Sequence, residues 1–247
     1  MQPRFLIVGA TGYTGRAVIH HLRTKQIHTV AHIRPNSPNL DWAQPEFTQA
    51  GAVVDTTSWD TEAVLQMIQR HRPTHVFSLL GTTKAKAKKA AAQGKKATYE
   101  DVERDLSLLI LRQLEAFAAE NADAPTPKYL FLSSLGVSDG VKNRYLRARA
   151  DVEIEIRKST LPWLIVQPSF ISGPDRRENR RGERFGSVVS DTILSTIAVL
   201  GIKKPYQLYG TLSAAQLADG LIAWSLDDAA YNQTLDTIAI RNRISVS

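Results

Sequence analysis

The chain has 247 residues, no cysteine and a formal net charge of +7, with an isoelectric point near 9.7. The missing cysteine excludes disulfides, thiolate metal sites and a cysteine nucleophile, and a chain this long buries enough surface to fold without such staples. No apolar run approaches the length of a membrane span, and Phe5-Leu-Ile-Val8 is too short for a signal-peptide core, so the expectation is a cytoplasmic protein with no membrane partner.

Phe5-Leu-Ile-Val8 is a continuous apolar run ending in glycine, as expected of a parallel strand buried on both faces. Residues 14–24 have helical spacing, with Ala17, Val18 and Leu22 on one face. Strands are expected over 29–33 and 51–55. A helix follows from Asp60, its candidate N-cap, with Val64, Leu65 and Ile68 in register until Pro73 closes it. The fourth strand covers 74–80. A Lys- and Ala-rich segment over 84–96 precedes Thr98-Tyr-Glu-Asp101, which has the form of a capping box. The helix it opens carries Leu106, Ile110, Leu114 and Phe117 along one stripe. A fifth strand over 128–132 ends at Ser133-Ser134; a helix over 144–158 and a sixth strand over 163–166 follow.

This alternation implies right-handed crossovers and an α/β fold with a doubly wound parallel sheet, the Rossmann arrangement. After Pro168 the rhythm changes: residues 187–200 and 213–226 look helical, and 235–240 looks like a late strand. The expectation is one domain over 1–247, in which 169–247 form a small C-terminal elaboration over the cleft.

Gly9-Ala-Thr11-Gly12-Tyr13-Thr14-Gly15 lies between the first strand and the first helix. The first glycine permits a tight turn, the second lets backbone approach a pyrophosphate, and the third lets helix and strand pack closely. The helix N-terminus then offers unsatisfied N–H groups to the phosphates. A dinucleotide site follows from that context. An NAD site places a carboxylate after the second strand, whereas this chain has His32-Ile-Arg34. Arg34 suits the 2′-phosphate of NADP(H), which is the cofactor expected.

With Leu80-Gly81-Thr82-Thr83 after the fourth strand, Ser133-Ser134 after the fifth, Tyr145, and Gln167-Pro168-Ser169 followed by Asp175-Arg-Arg-Glu178, the chain resembles the atypical branch of the short-chain dehydrogenase/reductase superfamily. Within it, the chain is similar to the Tat-interacting-protein oxidoreductase family, over nearly its whole length. The resemblance implies NADPH binding, with Thr11, Tyr13 and Thr14 at the phosphates and Asp55-Thr56 at the adenine edge. It puts Gly81 and Thr82 near the ribose, with Leu80 before them also binding the cofactor, and Pro168, Ser169 and Phe170 at the nicotinamide carboxamide. It also implies a tyrosine that moves the proton, a serine that orients the carbonyl, and a lysine four residues past the tyrosine. Those roles fall on Tyr145, on Ser133 or Ser134, and on Arg149, which stands where lysine is expected and would supply the cation. Spacing of i, i+4 keeps Tyr145 and Arg149 on one helical face, although a planar guanidinium is not a compact ammonium.

Gly136-Val-Ser138-Asp-Gly140 matches a hydrolase elbow in letters only, because Ser138 lies beyond the strand and before a further loop. The histidines form no ligand set, and no metal is expected. Two basic segments, residues 84–96 and 176–184, follow strand ends, where they either stay solvated or close over an anionic substrate. The function expected is an NADP(H)-binding oxidoreductase of a small carbonyl or alcohol. The alternatives are a non-catalytic NADP(H) sensor that regulates a protein partner, favoured by Arg149, and a nucleic-acid-associated protein that uses the basic segments.

Overall fold

Side chains alternate along strand β1 (Arg4–Val8): Phe5 and Ile7 enter one apolar core, Leu6 and Val8 the other, and all four are fully buried. The computed structural model describes residues 2–81, 104–169, 171–172 and 210–244. In it β1 pairs with β2 (His28–His32) on one side and β4 (His75–Ser78) on the other. Beyond β2 lies β3 (Val53–Asp55); beyond β4 lie β5 (Lys128–Leu132), β6 (Trp163–Gln167) and β9 (Gln233–Asp236). Every pairing in this seven-stranded sheet is parallel, and the order is β3-β2-β1-β4-β5-β6-β9. A separate two-stranded pair joins β7 (Ile171–Ser172) to β8 (Leu212–Ser213).

Helices cover both faces. Helices α1 (Tyr13–Thr24), α2 (Leu40–Gln49), α6 (Ala214–Ser225) and α7 (Thr237–Asn242) pack on the Phe5–Ile7 side through Val18, Phe47, Leu221 and Ile240. Helices α3 (Thr61–His71), α4 (Leu106–Glu120) and α5 (Arg144–Lys158) pack on the other through Met67, Leu114 and Val152. The chain leaves β1 toward β2 and β3, then returns to β4 on the opposite side. That reversal opens a crevice at the carboxyl ends of β1 and β4, the place where such sheets bind ligands.

Asp60 caps α3 as expected, its side chain accepting from the Ala63 N–H, and β5 and α5 have the expected bounds. Two differences have local causes. Helix α2 was not foreseen, because Pro45 sits inside it and its apolar contacts are few, chiefly Ala43 and Phe47. The expected late strand over 235–240 is corrected: the strand ends at Asp236, whose carboxylate accepts from the Ala239 N–H and starts α7. The helix at 213–226 is present, with Ser213 and Gln216 forming a reciprocal capping box. The capping box at Thr98-Tyr-Glu-Asp101, the helix at 187–200 and both basic segments lie outside the described residues. Among the described residues no helix is long and apolar enough to cross a membrane, and no cluster of metal-ligating side chains occurs.

His75 gives the fold a pH dependence. It stacks on Phe5 at 4.5 Å between ring centroids, and its Nε2 lies 3.0 Å from the Ser225 carbonyl oxygen. Burial, aided by the charge of Lys128, lowers its pKa to about 4 from 6.5. Between those two values the unfolded chain binds a proton that the folded chain does not, so stability falls as pH drops through the window. This group is expected to remove up to about 3 kcal/mol across it. Urea midpoints measured against pH are expected to fall less steeply in His75→Gln than in the parent; parallel curves would refute the assignment.

Candidate functional site

The turn after β1 is closed by backbone contacts that no larger residue permits. Gly9 has φ +87°, and a Cβ on it would lie 2.6 Å from the Leu79 carbonyl oxygen at the end of β4. A Cβ on Gly15 would lie 2.4 Å from the Gly9 carbonyl oxygen and 2.8 Å from that of Ala10. Gly12 donates its N–H to the Gly9 carbonyl at 3.0 Å and is the N-cap of α1, with extended backbone and no side-chain cap. The first turn of α1 carries no acidic residue. Backbone N–H groups and the positive end of the helix dipole are thus directed to the crevice, beside Thr11, Tyr13 and the buried Thr14. Leu80 and Gly81 follow β4 on the facing side. This cradle fits a dinucleotide pyrophosphate, which would be held by the first-turn N–H groups of α1.

On the β2 side Arg34 is exposed, two residues past the strand end. His32 is buried, with Nε2 2.8 Å from the Thr57 carbonyl oxygen and its ring edge-on to Trp59 at 4.6 Å between centroids. Burial lowers its pKa, against the opposing pull of that carbonyl and of Asp55. The Asp55 carboxylate accepts from the Thr57 N–H at 2.9 Å, from Arg70 at 2.6 Å and from His71 at 2.8 Å. Burial alone would raise its pKa, but the bonds from His71, Thr57 and Arg70 hold it far below the usual carboxylate range. The Asp55 side chain therefore organises the loop after β3, and Thr56 is the exposed residue beside it.

The other flank stands on α5. Tyr145, Arg149, Glu153 and Arg157 recur every four residues along one face of this helix. Arg149 is buried; its guanidinium carbon lies 4.9 Å from the Tyr145 ring centroid and 5.8 Å from that of Phe131, and its Nη1 donates to the Leu132 carbonyl. Glu153 is 1 % exposed and accepts from the Ser133 hydroxyl, from Gln167 at 3.0 and 3.1 Å, and from Arg157 at 2.6 Å. Ser134 is half-buried, and among the described residues its hydroxyl makes only a long bond of 3.4 Å to the Leu135 carbonyl. Glu153 was not singled out from the sequence, and Gln167 only as the first letter of the Gln167-Pro168-Ser169 motif, with no role attached. The polar i, i+4 recurrence on α5 carried a signal for Glu153, whereas only the β5–β6 pairing brings Gln167 beside it.

Pro168 is buried, and its carbonyl accepts from the Leu135 N–H at 3.0 Å. Ser169 directs both of its donors inward, its N–H to Thr237 Oγ1 at 2.9 Å and its hydroxyl to the Gly210 carbonyl at 2.6 Å. It ties the end of β6 to the C-terminal segment. Thr82 and Phe170 lie outside the described residues.

Residues 9–199 match a family described as NAD(P)H-binding. The chain is 30% identical over 183 residues to the protein named FMP52, mitochondrial, of Coccidioides immitis, a match covering 71% of this chain and 68% of that protein. Among solved structures, UDP-glucose 4-epimerase of Thermotoga maritima with UDP-glucose superposes with a TM-score of 0.62 at 16% identity, covering 94% of this chain and 75% of that one. The UDP-glucose 4-epimerase of Thermus thermophilus in complex with NAD gives 0.62 at 15% identity, covering 97% and 81%. At such identities the two epimerases share the fold.

Gly15→Ala forces backbone apart at the centre of the turn. It is expected to cost about 1–3 kcal/mol of stability, as overpacking does, and to weaken dinucleotide binding about tenfold or more as the first N–H groups are displaced. Denaturant melts and calorimetry with NADPH check both; an unperturbed Gly15→Ala would mean that the turn has slack.

Proposed function

The chain belongs to the NAD(P)H-binding family, and on that premise we propose that it is an NADP(H)-dependent oxidoreductase acting on a small carbonyl or alcohol substrate. The observation that carries this reading is that Tyr145, packed against a buried cation, and the hydroxyl of Ser134 share the carboxyl edge of the sheet with the glycine turn. When bound, the dinucleotide supplies or accepts the hydride. The N–H groups of α1 hold its pyrophosphate, and Arg34 pairs with the 2′-phosphate. Ser134 orients the substrate oxygen, because its proton is held only by a long bond while that of Ser133 is directed to Glu153. Tyr145 gives or takes the proton at that oxygen, and Arg149 supplies the positive charge beside its ring and fixes its position.

A second reading, a non-catalytic NADP(H) sensor reporting to a protein partner, draws on the same arginine. A guanidinium stacked on the phenol ring and tied to the Leu132 carbonyl locks α5 onto the sheet, which a purely structural pair would also do. We also place the protein in the cytoplasm; subcellular fractionation distinguishes that setting from the mitochondrial one stated in the fungal relative's name.

Arg34→Glu is expected to weaken NADPH about 100-fold, the worth of one charge-assisted pair and its reversal, and NADH by less than about threefold. Equal losses would mean that Arg34 does not read the 2′-phosphate. Across a panel of carbonyl substrates, Tyr145→Phe is expected to lower turnover about 100-fold while leaving NADPH affinity in place. Tight NADPH binding by the parent with no turnover on any of them would favour the sensor.

A further inference from the structure

The Ser133 hydroxyl has one proton and two lone pairs, and the fold decides where the proton goes. Three donors converge on the Glu153 carboxylate: the Ser133 hydroxyl, the Gln167 amide and the Arg157 guanidinium. With Glu153 1 % exposed, no water replaces a donor that turns away. Rotating the Ser133 proton outward would break a charge-assisted bond and set an oxygen lone pair against a buried carboxylate. Ser133, 5 % exposed, therefore has only its acceptor lone pairs left to offer a ligand.

Its location is equally constrained. The Ser133 N–H donates to the Val166 carbonyl at 2.7 Å, the last rung between β5 and β6, next to Gln167 and Pro168. With Arg34 past β2 assigned to the adenosine end, a dinucleotide whose pyrophosphate lies at the glycine turn would extend its nicotinamide half over the strand ends on the β4–β5–β6 side.

We propose that Ser133, held as an acceptor by the positioning residues Glu153 and Gln167, receives the carboxamide N–H of the nicotinamide and does not polarise the substrate carbonyl. This rests on the NADP(H) reading above and adds to it a built selectivity for a neutral hydrogen-bond donor on the pyridine ring. The carboxylate beneath Ser133 opposes any acceptor-only group placed there.

Calorimetry of the full chain compares NADP⁺ with its 3-acetylpyridine analogue, in which a methyl group replaces the carboxamide nitrogen. The parent protein is expected to bind NADP⁺ about five- to tenfold more tightly, the worth of one hydrogen bond. Ser133→Ala is expected to bring NADP⁺ down to the level of the analogue, whose own affinity stays within about twofold. Glu153→Gln, which frees the Ser133 proton to face the cleft, is expected to lose the discrimination as well. A general loss of structure would weaken both dinucleotides together, so the ratio isolates positioning from folding. Equal affinities in the parent, or a ratio that survives Ser133→Ala, would overturn the inference alone. Binding of neither dinucleotide would remove the cofactor reading and this inference with it.

Discussion

The closest packing at the site is between pieces of its own backbone. Where residue 15 lacks a Cβ, the Gly9 and Ala10 carbonyls touch the first turn of α1, and where residue 9 lacks one, the end of β4 closes against the turn. Helix α1 is thereby laid along β1, with its amino end at the point where the strand order reverses. Unsatisfied N–H groups are costly when buried and useful beside an anion, so the same contact that fixes the helix defines what the crevice attracts. The other site residues take their positions from the strands that flank this turn.

Each flank stands on a buried carboxylate. On the β2–β3 side, Asp55 gathers Arg70, His71 and the Thr57 N–H, which fixes the loop after β3. On the β5–β6 side, Glu153 gathers Arg157, Gln167 and Ser133. A buried charge is tolerated only when its lone pairs are met, and in both cases an arginine from a helix on the same face of the sheet meets them. The side chains of Arg70 and Arg157 remain 56% and 41% exposed, so the cations keep part of their hydration while the carboxylates lose theirs. The arrangement gives geometric definition to groups above it: the exposed Thr56 on one flank, Ser133 and Ser134 on the other. Arg149, unlike Arg70 and Arg157, is a buried cation, anchored to the Leu132 carbonyl and two aromatic rings, so Tyr145 sits on a rigid support.

Much of this was legible in the sequence, and for identifiable reasons. A parallel strand buried on both faces is a largely apolar run, so β1, β4, β5 and β6 announced themselves, and the bounds of α5 were legible too. The glycine turn was equally plain, because its three spacings answer to local backbone demands. Helix α2 was hidden by Pro45 and a weak apolar face, and α7 by a strand-like composition that Asp236 interrupts.

What the sequence determined by itself was the set of local decisions: which segments alternate, where a phosphate is met by N–H groups, and that an arginine follows β2 and another follows Tyr145 by four. Tertiary structure alone decided the direction of protons and the availability of side chains. Ser133 and Ser134 are adjacent letters, yet one faces Glu153, twenty residues away, while the other makes only a long contact next door. Ser169 turns to Gly210 and Thr237, and Asp55 to the helix after it. Hydrogen bonding is satisfied across strands and between layers, and those partners come together only when the sheet has formed.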